Sequence, residues 1–202
     1  MVIRLFYIFI IVLAGFLSAQ VYYIYSARAH ITNIPEGYHF GPANADLTVV
    51  EFLDYSCPYC QEVHPIIMEA VEQDGNVKYA PMPILSVNSD GGNAAYLLYA
   101  AAKMGKFKEG HKYFIENNTN LVRERLPEIT RDLGVDEQEF TTHLDSADVF
   151  HHVQDNHTAF RNLKATGTPT FMIGPDILFV PQDGMPSVED FLIMFEEARA
   201  QQ

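Results

Sequence analysis

Apolar residues are unevenly spread along the chain, and their spacing predicts its elements. From Leu5 to Tyr25 the run LFYIFIIVLAGFLSAQVYYIY holds 21 residues and no formal charge. At ~1.5 Å per residue it is long enough to cross a hydrocarbon core of about 30 Å. Arg4 in front of it and Tyr22, Tyr23 and Tyr25 at its far end fit a cytoplasmic start and an aromatic interface belt. The alternative is a cleaved signal peptide with its apolar region from Leu5 to Leu17, but the small-residue cleavage sites are poor. Leu17-Ser18-Ala19 opens on a bulky residue, and Ala27-Arg28-Ala29 lies far from the apolar stretch. Residues 1–25 are therefore expected to be an uncleaved anchor, and either reading carries the rest of the chain out of the cytoplasm.

Residues 26–46 are polar and turn-rich, with Pro35, Gly37, Gly41 and Pro42, and read as a linker into a domain spanning 47–202. Leu47 to Leu53 is a near-continuous apolar, β-branched run, the pattern of a strand covered on both faces. Beyond Cys60, Val63, Ile66, Ile67, Ala70 and Val71 recur at helical spacing, so the segment Asp54 to Cys60 is a strand-to-helix junction. Lys78 to Leu85 reads as a second strand, with Pro81 and Pro83 marking its exit or a sheet edge. Strand signals then stop, and a helical block is expected over about 90–164, with Gly134 ending one helix and Asp136 capping the next. Thr170 to Ile173 and Ile177 to Val180 read as a hairpin around Gly174-Pro175-Asp176. Ser187-Val188-Glu189-Asp190 is a capping signature ahead of a closing helix with Phe191, Leu192, Met194, Phe195 and Ala198 on one stripe. The order predicts a mixed α/β fold with helices inserted in its middle.

Composition adds exclusions. With 48% apolar and 19% charged residues in 202, the chain can bury one sizeable core and is not disordered. Thirteen Lys and Arg against 26 Asp and Glu give a net charge of -13, which opposes nucleic acid as a partner. Seven of the basic residues lie between Lys103 and Arg131, interleaved with acids, the composition of a solvated helical face. Two Asn-X-Thr triplets, at Asn117 and Asn156, are of a kind that arises often by chance and carry no weight.

The two cysteines, Cys57 and Cys60, are the most informative feature of the composition. A disulfide across so short a loop removes little unfolded-chain entropy, and a structural zinc site needs two more ligands from scattered histidines. Redox chemistry is left as the leading reading. At the first turn of a helix, backbone N–H groups and the dipole favour the Cys57 thiolate, and Pro58 fixes φ there without leaving an unused N–H. Cys57 is then the attacking and attacked sulfur, and Cys60, one turn in, the resolving thiol. Tyr59 adds no positive charge to the loop. Glu51 interrupts the first strand and is expected either to be a buried acid passing protons near Cys60 or to face solvent from an edge. His64, one turn beyond Cys60, reads as an exposed polar residue. In a less favoured reading it joins the cysteines in a soft-metal or substrate-holding module.

The segment Gly41 to Cys60, ending Asp54-Tyr55-Ser56-Cys57-Pro58-Tyr59-Cys60, resembles the opening of the DsbA-like branch of the thioredoxin superfamily. Ala165-Thr166-Gly167-Thr168-Pro169-Thr170-Phe171 resembles the segment that carries the superfamily's cis-proline opposite its cysteines. The resemblance implies a thioredoxin fold with an inserted all-helical domain, Pro169 as the cis-proline and Thr168 as the substrate-pairing position. It also implies that Glu51 is the buried acid. The implied function is an extracytoplasmic thiol:disulfide oxidoreductase acting on exported proteins that bear thiols or disulfides. Such a protein needs no cofactor beyond a redox-active Cys57–Cys60 disulfide, and it exchanges electrons with a membrane redox partner. Tyr59 stands where the best-known DsbA pattern has histidine, and Thr168 resembles the isomerases and reductases. A disulfide isomerase or reductase with the same site is therefore the alternative, and the oligomeric state is left open.

Overall fold

A computed structural model describes residues 2–85, 89–117, 123–182 and 184–201. Its elements are α1 (Val2–Thr32), β1 (Leu47–Leu53), α2 (Pro58–Asp74), β2 (Val77–Pro83), α3 (Ser89–Lys103) and α4 (Phe107–Glu116). A short 3-10 turn (Arg123–Arg125) leads into α5 (Leu126–Leu133), α6 (Glu137–Leu144) and α7 (Ala147–Asn162). The chain ends in β3 (Thr170–Ile173), β4 (Ile177–Phe179) and α8 (Val188–Ala200). The four strands form one sheet in the order β2-β1-β3-β4, with β1 parallel to β2 and antiparallel to β3. This is the mixed α/β, thioredoxin-like arrangement that the sequence predicts, with helices α3 to α7 between β2 and β3.

The alternation along the central strands sorts side chains onto two faces. Leu47, Val49, Val77, Tyr79, Phe171 and Ile173 point toward α2 and α8, where Val63, Ile67, Phe191 and Phe195 cover them. Val50, Phe52, Ala80, Met82 and Met172 point the other way and pack with Ala159 of α7 and Ile31 of α1. A third cluster fills the helical block and reaches Leu53, Tyr55 and Cys60 at the end of the sheet. Arg199 on α8 makes a two-pronged ion pair with Asp74 (2.7 and 2.8 Å) and a further bond to Asp46 (3.0 Å), tying the last helix to the end of α2 and the start of β1.

The predicted caps are present: Asp136 accepts from Glu139 N–H at 2.8 Å, and Ser187 and Asp190 form a reciprocal capping box. Gly134 closes α5 in the left-handed region (φ 67°). Within the basic stretch, Lys103 pairs with Asp148, Lys106 with Glu109, and Arg125 with Glu128, as a solvated face requires.

The expected linker over 26–46 is a correction. α1 runs on to Thr32, and Ile31 is 3% exposed against the sheet, because an apolar side chain there completes the cluster over Phe52 and Met82. Farther on, Phe40 pairs with Tyr79 through both backbone bonds (2.7 and 3.1 Å), extending β2 by an antiparallel bridge on its outer edge. Asn156 is fully buried and donates to Tyr99 Oη (2.7 Å) and the Pro83 carbonyl (3.2 Å), so its triplet is a structural feature of the core. The triplet at Asn117 lies partly outside the described residues. Among the described residues, Arg4–Tyr22 of α1 is the stretch long and apolar enough to span a bilayer, and none of its side chains is buried.

Candidate active site

The β1–α2 junction is built by short-range bonds. Asp54 Oδ1 accepts from both the N–H (2.8 Å) and the hydroxyl (2.7 Å) of Ser56, and its carbonyl accepts from Cys57 N–H at 2.9 Å. This turn delivers Cys57 to the N-cap of α2 in an extended conformation (φ -81°, ψ 115°), with Pro58 as the first helical residue. Pro58 is exposed, Tyr59 and Cys57 are half-buried, and Cys60 is fully buried beneath them.

Both cysteines are free thiols. The Cys60 thiol hydrogen-bonds to Cys57, and the Thr168 side chain and the N–H groups of Tyr59 and Cys60 add to this. Together they outweigh desolvation and lower the Cys57 thiol to about 5. The same bond, with burial and the nearby Glu51 charge, pushes Cys60 far above the ordinary thiol range. The two sulfurs are therefore electronically distinct. One is a half-exposed thiolate at neutral pH, the other a buried thiol.

Across from them the Thr168–Pro169 peptide bond is cis, and Pro169 is buried. The Thr168 carbonyl lies 3.4 Å from Cys57 Sγ and accepts from it when Cys57 is a thiol. Cys57, Cys60, Pro58, Tyr59, Thr168 and Pro169, picked out from sequence segments more than a hundred positions apart, are thus brought to one place.

Glu51 belongs to the same place. It lies in the middle of β1, flanked by Pro81 of β2 and Phe171 of β3, and is 1% exposed, so the solvent-facing edge reading is excluded. Burial lifts its carboxyl to about 8 in spite of a bond from Tyr79, and the Cys57 charge pushes in the same upward direction. Tyr79 donates its hydroxyl to Glu51 Oε2.

His64 is a second correction. Its Nδ1 is 3.4 Å from His111 Nε2, and His111 Nδ1 is 2.7 Å from Tyr55 Oη, a chain from the α2 surface to a buried ring on α4 and back to the active-site turn. The Tyr55 hydroxyl can donate to His111 Nδ1 or accept from it, and the tautomer of His111 sets the direction of both bonds. Burial lowers His64 to about 4, and burial together with the neighbouring His64 holds His111 well below the ordinary histidine range, so both rings are neutral at physiological pH. Among the described residues no group of three His, Cys, Asp or Glu is gathered to hold a metal, and His64 is committed to His111. Tyr79, Tyr55 and His111 carry no sequence signal of their own: each is an ordinary core residue until the strand register and the α2–α4 contact are known.

The sequence model of the family described as Thioredoxin matches residues 33–191. Among curated proteins, the Na(+)/H(+) antiporter NhaA 3 of Salinispora tropica is 30% identical over 135 residues. That match covers 66% of this chain, which spans only 21% of the antiporter's length. The probable disulfide bond formation protein D of Bacillus cereus is 25% identical over 169 residues, covering 74% of this chain and 76% of that protein. Among solved structures, a thioredoxin-like oxidoreductase from Silicibacter pomeroyi superposes with a TM-score of 0.75 at 26% identity, over 85% of this chain and 96% of that one. With the fold and the paired thiols in place and the family model matched over residues 33–191, the chain belongs to the thioredoxin family.

Proposed function

We propose that the protein is a thiol:disulfide oxidoreductase that forms disulfide bonds in exported proteins, held by α1 at a membrane with its catalytic domain on the extracytoplasmic side. The observation that carries this reading is the asymmetric pair: a half-exposed sulfur at the N-terminus of α2, hydrogen-bonded by a second thiol that is wholly buried. A substrate thiolate attacks Cys57 Sγ of the Cys57–Cys60 disulfide. That S–S bond breaks, and Cys60 leaves with the electron pair and takes a proton from Glu51. A second substrate thiolate then attacks the substrate sulfur of the mixed disulfide, and Cys57 leaves as the stabilised thiolate. The substrate is oxidised by two electrons, the protein is reduced by two, and a membrane redox partner restores the disulfide. When no second thiolate arrives, Cys60 gives its proton to Glu51, attacks Cys57 and releases the substrate. Thr168 offers backbone groups beside Cys57 for an extended substrate segment.

Cys57→Ser should abolish turnover of reduced protein substrates, and Cys60→Ala should trap substrates covalently on Cys57. Unchanged turnover in the first variant overturns the reading. Thiol alkylation of cells should find the pair mostly oxidised; a mostly reduced pair reverses the electron flow and makes the protein an isomerase or reductase.

A further inference from the structure

The buried acid is held asymmetrically. Its Oε2 is occupied by the Tyr79 hydroxyl, while Oε1 is buried and has no hydrogen-bond partner among the described residues. Buried acceptors are rarely left unpaired, because an unmade bond leaves the desolvation of the group uncompensated, so one that persists beside reactive groups asks for a role. Glu51 faces Tyr79 from β2, Tyr55 from the turn before α2, and Cys57 and Cys60 from α2. From β3 it faces only the uncharged Thr170 to Ile173, and α8 turns Phe191 and Phe195 to this face of the sheet.

Tyr79 is itself fixed from outside the sheet. Its N–H and carbonyl are both taken by Phe40, whose ring lies 5.9 Å from its own. The chain reaches that position through Gly41 at φ 74°, packed so close to the Val77 carbonyl that a Cβ would stand 2.0 Å from the oxygen.

We propose that Tyr79 is a positioning residue for Glu51: by holding Oε2 it keeps the carboxyl in one orientation and leaves Oε1 as the atom that exchanges the proton with Cys60. The inference rests on the roles of Cys57 and Cys60 given above. In the resolving step Cys60 S–H transfers its proton to Oε1 and its sulfur attacks Cys57 Sγ. The bond from Cys57 to the leaving sulfur breaks, and the electron pair departs with that thiolate.

The test uses full-length reduced protein mixed with glutathione disulfide, quenched in acid, with the mixed disulfide and the Cys57–Cys60 disulfide counted by mass spectrometry across pH. Tyr79 donates to the ionised acid, so Tyr79→Phe should move the midpoint of the Cys60-dependent step upward by about one to two pH units, the size of one bond to a charged acceptor. Below the midpoint that step should slow about ten-fold or more. The first step, at Cys57, should keep its rate and pH dependence, and Glu51→Gln should erase the difference between Tyr and Phe at position 79. An unmoved midpoint, or an equal effect in the Glu51→Gln background, overturns the inference. If wild-type protein forms no mixed disulfide on Cys57, it is the proposed function that fails. Should Tyr79→Phe not fold, an infrared pH titration of wild type against Glu51→Gln decides. A singly hydrogen-bonded acid carbonyl supports the assignment, and a free carbonyl overturns it.

Discussion

Cys57 and Glu51 share one neighbourhood, yet their acid strengths move in opposite directions, Cys57 down to about 5 and Glu51 up to about 8. Cys57 is partly exposed and gains donors, so its charged form wins. Glu51 is sealed in the sheet with one donor, so desolvation wins. The consequences for stability have opposite signs. A thiol whose folded value is depressed stabilises the reduced protein fully above the unfolded value near 9, and that stabilisation is lost as pH falls to about 5. An acid whose folded value is raised stabilises below about 4.5, and that contribution is lost as pH rises through about 8. The Cys57 effect is absent from the Cys57–Cys60 disulfide form, as is the smaller part of the Glu51 shift that comes from the Cys57 charge, while the burial of Glu51 is common to both forms. The melting temperature of the reduced protein minus that of the oxidised protein should therefore widen steadily from pH 5 to pH 9, and calorimetry on the two forms checks it. A constant gap means that Cys57 is not a stabilised thiolate. At this scale the sequence was informative where residue type and local spacing carry the chemistry: two thiols one turn apart, a proline at the first helical position, an acid inside an apolar run. It was silent on Tyr79, Tyr55 and His111, whose partners are 28 and 56 positions away and are set by register and helix packing.

Elements were legible in proportion to how local their signals are. The caps at Asp136 and Ser187, the glycine after α5 and the near-continuous apolar run of β1 all act within a few residues, and each is found where it was expected. Pro81 and Pro83 marked a strand at the sheet boundary, and β2 is indeed the terminal strand, bonded along one side to β1. The segment before β1 was not legible. Its prolines and glycines signal turns, whereas the bridge from Phe40 to Tyr79 is a long-range pairing that leaves no periodic trace. That bridge depends on Gly41, which combines a left-handed backbone with contact to the Val77 carbonyl. Gly41→Ala should destabilise the domain by more than about 2 kcal/mol, since an L side chain is strained at this φ and the clash is with backbone rather than a flexible side chain. Chemical denaturation measures the loss, and faster hydrogen exchange at Tyr79 N–H would assign it to the Phe40–Tyr79 pairing. A neutral substitution would mean that the edge is not held as described.

The sheet divides the whole molecule into a chemical face and an anchoring face. Glu51, Tyr79 and the helix bearing Cys60 lie on one side; on the other, Val50, Phe52, Ala80, Met82 and Met172 meet α7 and the end of α1. The helix carrying the candidate span therefore reaches the fold's core at Ile31, which packs against the sheet. Ile31 is the residue that makes this junction, 3% exposed among large apolar neighbours. Ile31→Ala in the full-length protein should cost about 2–4 kcal/mol through lost burial and the cavity left behind. Because β1 itself lies between Ile31 and the redox pair, the pH at which Cys57 becomes half-reactive toward an alkylating agent should stay where it is in wild type. Stability and thiol reactivity measured on the same sample separate the two faces: a loss of melting temperature with an unmoved Cys57 titration is the expected pair of results. A Cys57 titration that shifts with Ile31→Ala would show that docking of α1 reaches through the sheet to the active site, and the division into two faces would then be wrong.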